Sequence, residues 1–253
     1  MGKIDITKPY IEPKGIAALV HGLNLKSERM ADIGRLWLER GYIIANLTLA
    51  GHESTTEWTD PSRKAWLFDF ESLESAIDGL KAECGDLPCV CVAMSLGALM
   101  FVDHVLTTSS STFTKAYFLA PALSIRRRSL ILKGPSRLLP NLRIKSLSDP
   151  GYRVHNSLPL SFYREFYAAY DFVRLRMEKQ PFPIPTQIFS HPNDELVSHR
   201  GLIRLSSRFE SVQIKPLGRE RGKMGYNHLM VNEETMGQGN WAMFTRTTDE
   251  NIQ

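Results

Sequence analysis

One stretch of nine residues constrains the fold more than any other part of the chain: CVCVAMSLG, from Cys89 to Gly97. Its first residues are small or β-branched and form the apolar run of a buried strand, and the helix-compatible residues 98–102 follow directly. A strand that enters a helix so abruptly needs small neighbours at the joint, and Ala93 and Gly97 lie two residues before and after Ser95. We therefore predict a buried strand that turns sharply into a helix, with Ser95 at the apex.

A serine in this position has two interpretations. In the first, it is an ordinary residue at a strand-to-helix turn, and its hydroxyl caps the helix. In the second, the turn is a nucleophile elbow, in which the tight backbone pushes the hydroxyl outward to where it can react. The pattern alone does not choose between them, so the rest of the chain must supply, or fail to supply, the partners of a nucleophile.

Length and composition are those of an ordinary globular protein. The 253 residues suffice for one large domain, or one domain with an insertion, and the apolar and charged fractions of 43% and 23% exclude disordered and fibrous classes. The first seven residues lack the apolar core of a signal peptide, Ile6 stands where a myristoylation signal has Ser or Thr, and no run approaches the ~18 apolar residues of a membrane span. We expect a soluble, cytoplasmic protein.

The three cysteines, Cys84, Cys89 and Cys91, point to the same compartment. They are odd in number and clustered, as expected of small buried residues under reducing conditions rather than of a disulfide framework. No further ligands stand at zinc-finger or ribbon spacing, so no metal site is expected.

Strand and helix patterns alternate through most of the chain. Apolar strands are predicted at 15–20, 43–49, 89–92 and 115–120, with helices after a capping Ser27, at 63–83 and after Ser95. Further strands are predicted at 186–190 and 212–214, and further helices near 198–208 and 231–246, while residues 1–14 suit an edge strand. Four alternations within about 120 residues indicate an α/β fold with a mostly parallel sheet.

The alternation breaks between residues 124 and 184. This segment shows no convincing strand, and its twelve Lys and Arg against four Asp and Glu give it a net charge of +8. We interpret it as an inserted helical cap, which divides the core into residues 1–123 and 185–253. The charge suits anionic lipid headgroups or acidic substrates, or is simply a solvated face. An aromatic stripe in the cap either lines an acyl pocket or packs the cap; its members are Phe162, Phe166, Tyr170 and Val173.

Two strand ends supply candidates for an acid and a base. Asp194 follows the strand at 186–190, and His228 lies in the loop after the last strand, so the chain order is Ser95, Asp194, His228. Catalytic groups on a parallel sheet collect at the carboxyl ends of its strands, and this order is that of one known class of triad. His191 competes with His228 as the base. Asp194 could instead cap a helix, and the competing acids are Glu53, Asp60 and Glu195, the last of which is expected to point away from His228.

These motifs together resemble an α/β-hydrolase of the esterase and monoacylglycerol-lipase type, over nearly the whole chain. The resemblance implies that Ser95 is the nucleophile, His228 the general base and Asp194 the acid that orients it, with the backbone N–H groups of Leu23 and Leu96 as the oxyanion hole. Two positions depart from the family pattern: Ala93 replaces the usual first elbow glycine, and His191 replaces a glycine frequently found before the acid.

The expected function is cleavage of short- to medium-chain or monoacylglycerol-like esters through an acyl-enzyme, without metal or cofactor. Thioester or amide cleavage and acyl transfer on the same triad remain alternatives, as does a non-catalytic binding protein. Nucleic-acid binding is not expected, because the basic run at 126–128 lacks a recognition motif.

The other histidines have structural interpretations. We expect His21 and His52 to shape the loops around the oxyanion hole, and His104 to form a surface pair with Asp103. His155 and His199 are expected to be solvated or to cap helices.

Overall fold

The computed structural model describes residues 2–53, 62–146, 148–218, 220, 222, 223 and 225–249. Within this part of the chain, seven strands form the main sheet: β1 Lys3–Thr7, β2 Gly15–Val20, β3 Tyr42–Thr48, β4 Cys89–Met94, β5 Lys115–Leu119, β8 Thr186–Ser190 and β9 Val212–Pro216. Two shorter strands, β6 Arg143–Lys145 and β7 Ser157–Pro159, pair separately.

The main sheet has the order β1-β3-β2-β4-β5-β8-β9. Only β1, at one edge, is antiparallel to its neighbour, and every other pair is parallel. The predicted mostly parallel sheet is therefore confirmed. The carboxyl ends of β2, β4 and β8 all reach the same edge of the sheet, where the candidate residues follow them.

Helices cover both faces of the sheet. They are α1 Ala31–Glu39, α2 Arg63–Cys84, α3 Leu96–Thr108, α4 Lys133–Leu138, α5 Leu160–Lys179, α6 His199–Leu205, α7 Glu233–Met236 and α8 Gln238–Asp249. Successive side chains of a strand point to opposite faces. In β2, accordingly, Ile16 and Ala18 join one core cluster with α2, α3 and α5, whereas Ala17 and Leu19 join the other with α1 and α8.

The segment between β5 and β8 carries a 3-10 helix at Arg127–Leu132, α4, the β6–β7 pair and α5. Its two strands contradict the expectation that no strand lies here; each has only three residues, too few to display a period of two. Phe162, Phe166 and Val173 are buried in the core cluster that α5 shares with α2 and α3, and Tyr170 packs against it. The stripe thus packs α5 onto the core, while the division into core and cap domains stays a prediction.

Two helix boundaries differ from the predicted ones. Ser27 does not cap α1 but lies within a 3-10 helix, Ser27–Met30, and its Oγ accepts a hydrogen bond of 2.6 Å from Thr48 Oγ1. The helix predicted at 231–246 is two helices, because Gly237 has a φ of +85° between α7 and α8. A positive φ is incompatible with a continuous right-handed helix and suits glycine.

Candidate active site

Ser95 lies alone between the last residue of β4 and the first of α3, with φ 49° and ψ −109°. Residues other than glycine rarely adopt a positive φ, so the surrounding structure must hold this turn in place. Ser95 N donates to Leu119 O over 3.0 Å, and its carbonyl accepts from Ala122 N over 3.1 Å. The hydroxyl makes no capping hydrogen bond to α3, so the interpretation of Ser95 as a helix cap is wrong.

Two glycines allow the chain to pass close to this turn. A Cβ on Gly97 would lie 2.6 Å from His21 O and 2.7 Å from Val20 O, closer than atoms can approach. A Cβ on Gly22 would lie 3.3 Å from Ser95 Cβ. The end of β2 and the first turn of α3 are therefore in direct backbone contact, and Gly22 lies beside the serine.

The structure brings Ser95, His228 and Asp194 together. His228 Nε2 lies 3.0 Å from Ser95 Oγ, and His228 Nδ1 lies 2.9 and 3.2 Å from the two carboxylate oxygens of Asp194. Asp194 is fully buried, and the serine and the histidine are 7% and 15% exposed. With Nδ1–H donated to the carboxylate, Nε2 is the acceptor that faces the hydroxyl.

Local hydrogen bonds hold Asp194 in this position. Its Oδ1 accepts from Leu196 N and Val197 N over 2.7 and 2.8 Å. Burial raises the pKa of Asp194, but the charge and hydrogen bond of His228, together with these backbone donors, outweigh burial and lower the pKa overall. The N-cap of α6 is Ser198, so Asp194 is not the cap of that helix.

The pKa of His228 moves in the opposite direction. Burial lowers this pKa, yet the charge and hydrogen bond of Asp194, with a further contribution from the charge of Glu195, raise it above the ordinary value of a histidine. The histidine is thus a stronger base than a free imidazole, as removal of a proton from a serine hydroxyl requires.

Glu195, a competing acid in the sequence, has a different role in the structure. The expectation that its side chain points away from His228 is wrong, because its carboxylate accepts hydrogen bonds from His228 N at 3.2 Å, from Asn227 N at 3.0 Å and from Asn227 Nδ2 at 2.8 Å. It therefore holds the backbone that carries the histidine. Only knowledge of which loop faces position 195 could have indicated this role.

Two arginines fix the loop that carries the acid. Arg126 donates to Asp194 O and, over 3.1 Å, to Pro192 O, while both Arg128 donors bond to Glu195 O at 2.7 and 3.0 Å. The short basic run noted in the sequence is thus partly explained by contacts within the chain. These contacts link the predicted cap to the loop after β8.

The two residues predicted for the oxyanion hole are Leu96, which follows Ser95 in the chain, and Leu23. Leu96 is the first residue of α3, so its N–H has no acceptor within the helix. Leu23 follows Gly22, the residue beside Ser95. Their N–H groups as the oxyanion hole stay a prediction.

A network of buried histidines fixes the turn after Leu23. His52 Nε2 accepts from Asn24 N over 3.0 Å, and His21 Nε2 accepts from Leu49 N over 3.0 Å, so each ring is neutral and carries its proton on Nδ1. The two rings pack edge to face at 4.6 Å. Burial lowers the pKa of His21 to about 4 and that of His52 well below its ordinary value. Both residues shape the loops at this end of the sheet, as expected.

Asn24 and His155 extend this network to the inserted segment. Asn24 has a φ of 54°, its Oδ1 accepts from His155 N over 2.8 Å, and its Nδ2 donates to His155 O over 2.9 Å. The His155 ring lies 3.0 Å from Gly51 O. The expectation that His155 is solvated or caps a helix is therefore wrong.

The remaining histidines lie in other environments. His191 is buried, and its Nδ1 accepts from Asn193 N over 3.0 Å within its own turn, while the ring that faces Ser95 is that of His228. His104 and Asp103 are fully buried, so the predicted surface pair is wrong. His104 Nε2 lies 3.1 Å from Glu74 Oε2.

Asp103 instead pairs with Arg63, and its two oxygens accept from the guanidinium over 2.6 Å each. His199 Nδ1 lies 2.7 Å from Ser190 Oγ, and burial lowers its pKa. Of the competing acids, Glu53 accepts from Gly51 N over 3.0 Å, and Asp60 lies outside the described residues.

Among the residues that the structure describes, no three His, Cys, Asp or Glu side chains converge in a way that would hold a metal ion. The three cysteines are free, and burial raises the pKa of the Cys89 thiol to about 12. None of the described helices combines the length and the apolar character needed to cross a bilayer.

The family model described as serine aminopeptidase, S33, matches residues 11–217, a range that includes Ser95 and Asp194 and ends before His228. No curated protein sequence matches the chain.

Several solved structures share the fold. A monoacylglycerol lipase from Paleococcus ferrophilus is 17% identical, with a TM-score of 0.74 over 99% of this chain and 98% of that one. A soluble variant of monoglyceride lipase from Saccharomyces cerevisiae is 12% identical, with a TM-score of 0.76 over 99% and 90%. Est1E from Butyrivibrio proteoclasticus, with ferulic acid bound, is 14% identical, with a TM-score of 0.68 over 98% and 93%.

Proposed function

Because the chain belongs to the α/β-hydrolase family described as serine aminopeptidase, S33, and is thus a hydrolase, we propose that it cleaves carboxylic esters through an acyl-enzyme on Ser95. The observation that carries the proposal is the continuous chain of contacts from Ser95 Oγ through His228 to the buried Asp194. A serine hydroxyl at neutral pH is a poor nucleophile without such a base, and the base needs a group that fixes its tautomer.

The proposed reaction has two halves. In the first, His228 Nε2 takes the proton of Ser95 as Oγ attacks the ester carbonyl, and then returns it to the departing alcohol oxygen. In the second, His228 takes a proton from water, the hydroxide attacks the acyl-enzyme, and the acid leaves as Ser95 regains its proton. The N–H groups of Leu23 and Leu96 are proposed to stabilise the oxyanion in both halves, each by roughly 3 to 4 kcal/mol. Asp194 stays ionised and stabilises the imidazolium that forms.

The proposed substrates are small esters with short- to medium-chain acyl groups, or monoacylglycerol-like molecules. The similar folds of the two monoglyceride lipases and of Est1E support this class.

The family description raises amide cleavage as the alternative. An aminopeptidase needs a carboxylate that binds the substrate's ammonium group, whereas Asp194 and Glu195 are already engaged by His228 and by the loop that carries it. We propose a cytoplasmic enzyme that uses no cofactor.

Labelling with a fluorophosphonate probe tests the nucleophile, since such probes react with activated serines. We expect wild-type protein to be labelled and Ser95→Ala to lose the label. Equal labelling of both proteins, or no labelling of the wild type, would reject the proposal, including in its acyl-transfer form, and would favour a non-catalytic binding protein.

A substrate panel then tests the bond that is cleaved. Glyceryl and p-nitrophenyl esters of graded chain length are compared with matched thioesters and aminoacyl anilides. A higher kcat/KM for esters is expected, because the two carboxylates of the site, Asp194 and Glu195, are already engaged and do not remain for an ammonium group. A clear preference for thioesters or anilides would contradict ester hydrolysis while leaving the serine chemistry intact.

A further inference from the structure

The segment between β5 and α5 carries a group of exposed apolar and basic side chains. We call it the basic apolar patch and define it by four apolar and four basic residues. They are Ile131, Leu138, Leu139 and Leu142, with Arg127, Arg137, Arg143 and Lys145.

The apolar members of the patch are unusually exposed. Ile131 and Leu138 are 77% and 81% exposed, and Leu139 and Leu142 are 54% and 51% exposed. Single exposed apolar residues are common on protein surfaces, but four within twelve residues form a patch, which is typical of an interaction site.

Hydrogen bonds fix the backbone beneath these side chains. Leu139 N donates to Pro135 O over 2.8 Å, Leu142 N donates to Leu139 O over 3.1 Å, and Leu142 O accepts from Leu160 N, at the start of α5, over 2.8 Å. Lys133 adds an ion pair of 2.7 Å to Asp171 on α5. These hydrogen bonds hold the backbone in a conformation in which the apolar side chains face solvent and not the core.

The charge of the segment identifies the kind of partner. Residues 126–145 contain seven Arg and Lys and no Asp or Glu. A second copy of the chain, docked patch to patch by a twofold axis, would oppose like charges. An anionic lipid surface instead attracts basic residues and accepts apolar side chains at the level of its headgroups. We propose that the basic apolar patch docks the protein on an anionic lipid membrane.

The position of the patch gives this docking a use. Arg126 and Arg128, at its N-terminal border, bond to the loop that carries Asp194 and Glu195. A membrane bound at the patch therefore contacts a segment that is hydrogen-bonded to the loop of the candidate site. The docking itself does not depend on the proposed ester chemistry.

Vesicle co-sedimentation tests the proposal, with full-length protein carrying Ser95→Ala so that no lipid is hydrolysed. The vesicles consist of phosphatidylcholine alone or of phosphatidylcholine mixed with phosphatidylserine. We expect binding to the anionic vesicles to be at least about tenfold tighter and to weaken with salt, because charges near the surface are screened.

Two patch variants separate the contributions. Arg137→Gln with Lys145→Gln is expected to weaken binding to anionic vesicles about fivefold for each charge removed. Leu138→Ser with Leu142→Ser is expected to weaken it at least about tenfold through the loss of buried apolar area. The matched control is Tyr10→Ser with Ile11→Ser, an exposed apolar pair at the opposite end of β2, and it is expected to bind like the parent.

Three outcomes would overturn the proposal: equal binding to neutral vesicles, patch variants that bind like the parent, or a dimer in solution that the leucine variants dissociate. The same patch substitutions, made with Ser95 intact, are expected to leave cleavage of a water-soluble short-chain ester unchanged, which also shows that they fold. Loss of fluorophosphonate labelling would reject the proposed function and leave the vesicle result untouched.

Discussion

Glu195 illustrates how a residue that does not bond to Ser95 can still decide the position of His228. Its carboxylate accepts two backbone N–H groups and one side-chain amide from residues 227 and 228. Hydrogen bonds to a charged acceptor are each worth about 1.5 to 3 kcal/mol. Glu195 is therefore a positioning residue for His228, and its negative charge also contributes to the raised pKa of that histidine.

Glu195→Gln is expected to lower kcat for an ester substrate by roughly tenfold with little change in KM, because weaker hydrogen bonds to a neutral amide hold His228 less firmly. The change also removes a charge that raises the pKa of His228. A histidine base must be neutral to act, so the acid limb of the pH profile of kcat/KM is expected to move to lower pH. Steady-state kinetics across pH measure both effects.

The control for this variant is Glu210→Gln, which removes an equal charge at an exposed position. It is expected to leave both kcat and the acid limb unchanged. A Glu195→Gln enzyme with a lower kcat but an unshifted acid limb would contradict the electrostatic part of the role and leave only a structural one.

At the residue scale, the sequence predicts which site residues follow a strand. It does not predict which residues contact the site from other loops. Ser95, Asp194 and His228 each end a strand or lie in the loop after one, and a parallel sheet brings such positions together. Asn24 and Glu195 could not be assigned, because each acts on backbone or side chains far away in the sequence. His104 was assigned to the surface, since the sequence does not show that Glu74 lies beside it.

At the scale of elements, the joint between β4 and α3 depends on the absence of one side chain. Gly97→Ala would place a Cβ 2.6 and 2.7 Å from two backbone oxygens at the end of β2, which cannot move away as a flexible side chain could. Such overpacking typically costs about 1–3 kcal/mol. We expect a lower free energy of unfolding in urea and at least about tenfold lower ester cleavage, because β2 also carries Gly22, the residue beside Ser95.

Gly79→Ala provides the matched control, since it makes the same change within α2 at an exposed position with no atom within 4 Å of the new Cβ. This variant is expected to be as stable as the wild type, or more stable by up to about 1 kcal/mol, through its higher helix propensity. A Gly97→Ala protein with unchanged stability would refute the close packing of the joint.

The elements themselves were largely predictable from hydrophobic periodicity. The buried strands of the sheet are continuous apolar runs, and β8 has the predicted bounds. The errors occur where local geometry overrides the period: β6 and β7 are too short to show one, and Gly237 divides the last helix. A capping box between Asn232 and Thr235 starts α7, a signal that the hydrophobic pattern alone does not contain.

At the scale of the whole molecule, the polar groups at the carboxyl edge of the sheet link stability to pH. The folded protein keeps His21 neutral, with a pKa of about 4, whereas an unfolded histidine titrates near 6.5. His52 is lowered in the same direction. His228 and Asp194 act on each other, so that the pKa of the histidine is raised and that of the acid lowered. The same cluster that holds the site together therefore limits the acid stability of the fold.

The sign of this effect follows from proton linkage. As pH falls below about 6.5, the unfolded chain binds a proton at His21 before the folded protein does, so the free energy of unfolding decreases until pH reaches about 4. For His21 alone the expected loss is about 3 kcal/mol. His228 opposes this loss, because its raised pKa makes the folded state bind a proton first. Asp194 contributes stability that is lost as pH falls below the ordinary range of a carboxyl group.

Urea unfolding at a series of pH values between 7 and 4 measures the balance. We expect wild-type protein to lose stability across this window, and His21→Gln to be less stable at pH 7 but to lose less on acidification, because one buried proton-binding group is gone. His199→Gln is the control, since His199 is only partly buried and is expected to change the pH dependence less. If His21→Gln lost as much stability as the wild type between pH 6.5 and 4, the buried His21 would not be a source of the acid sensitivity.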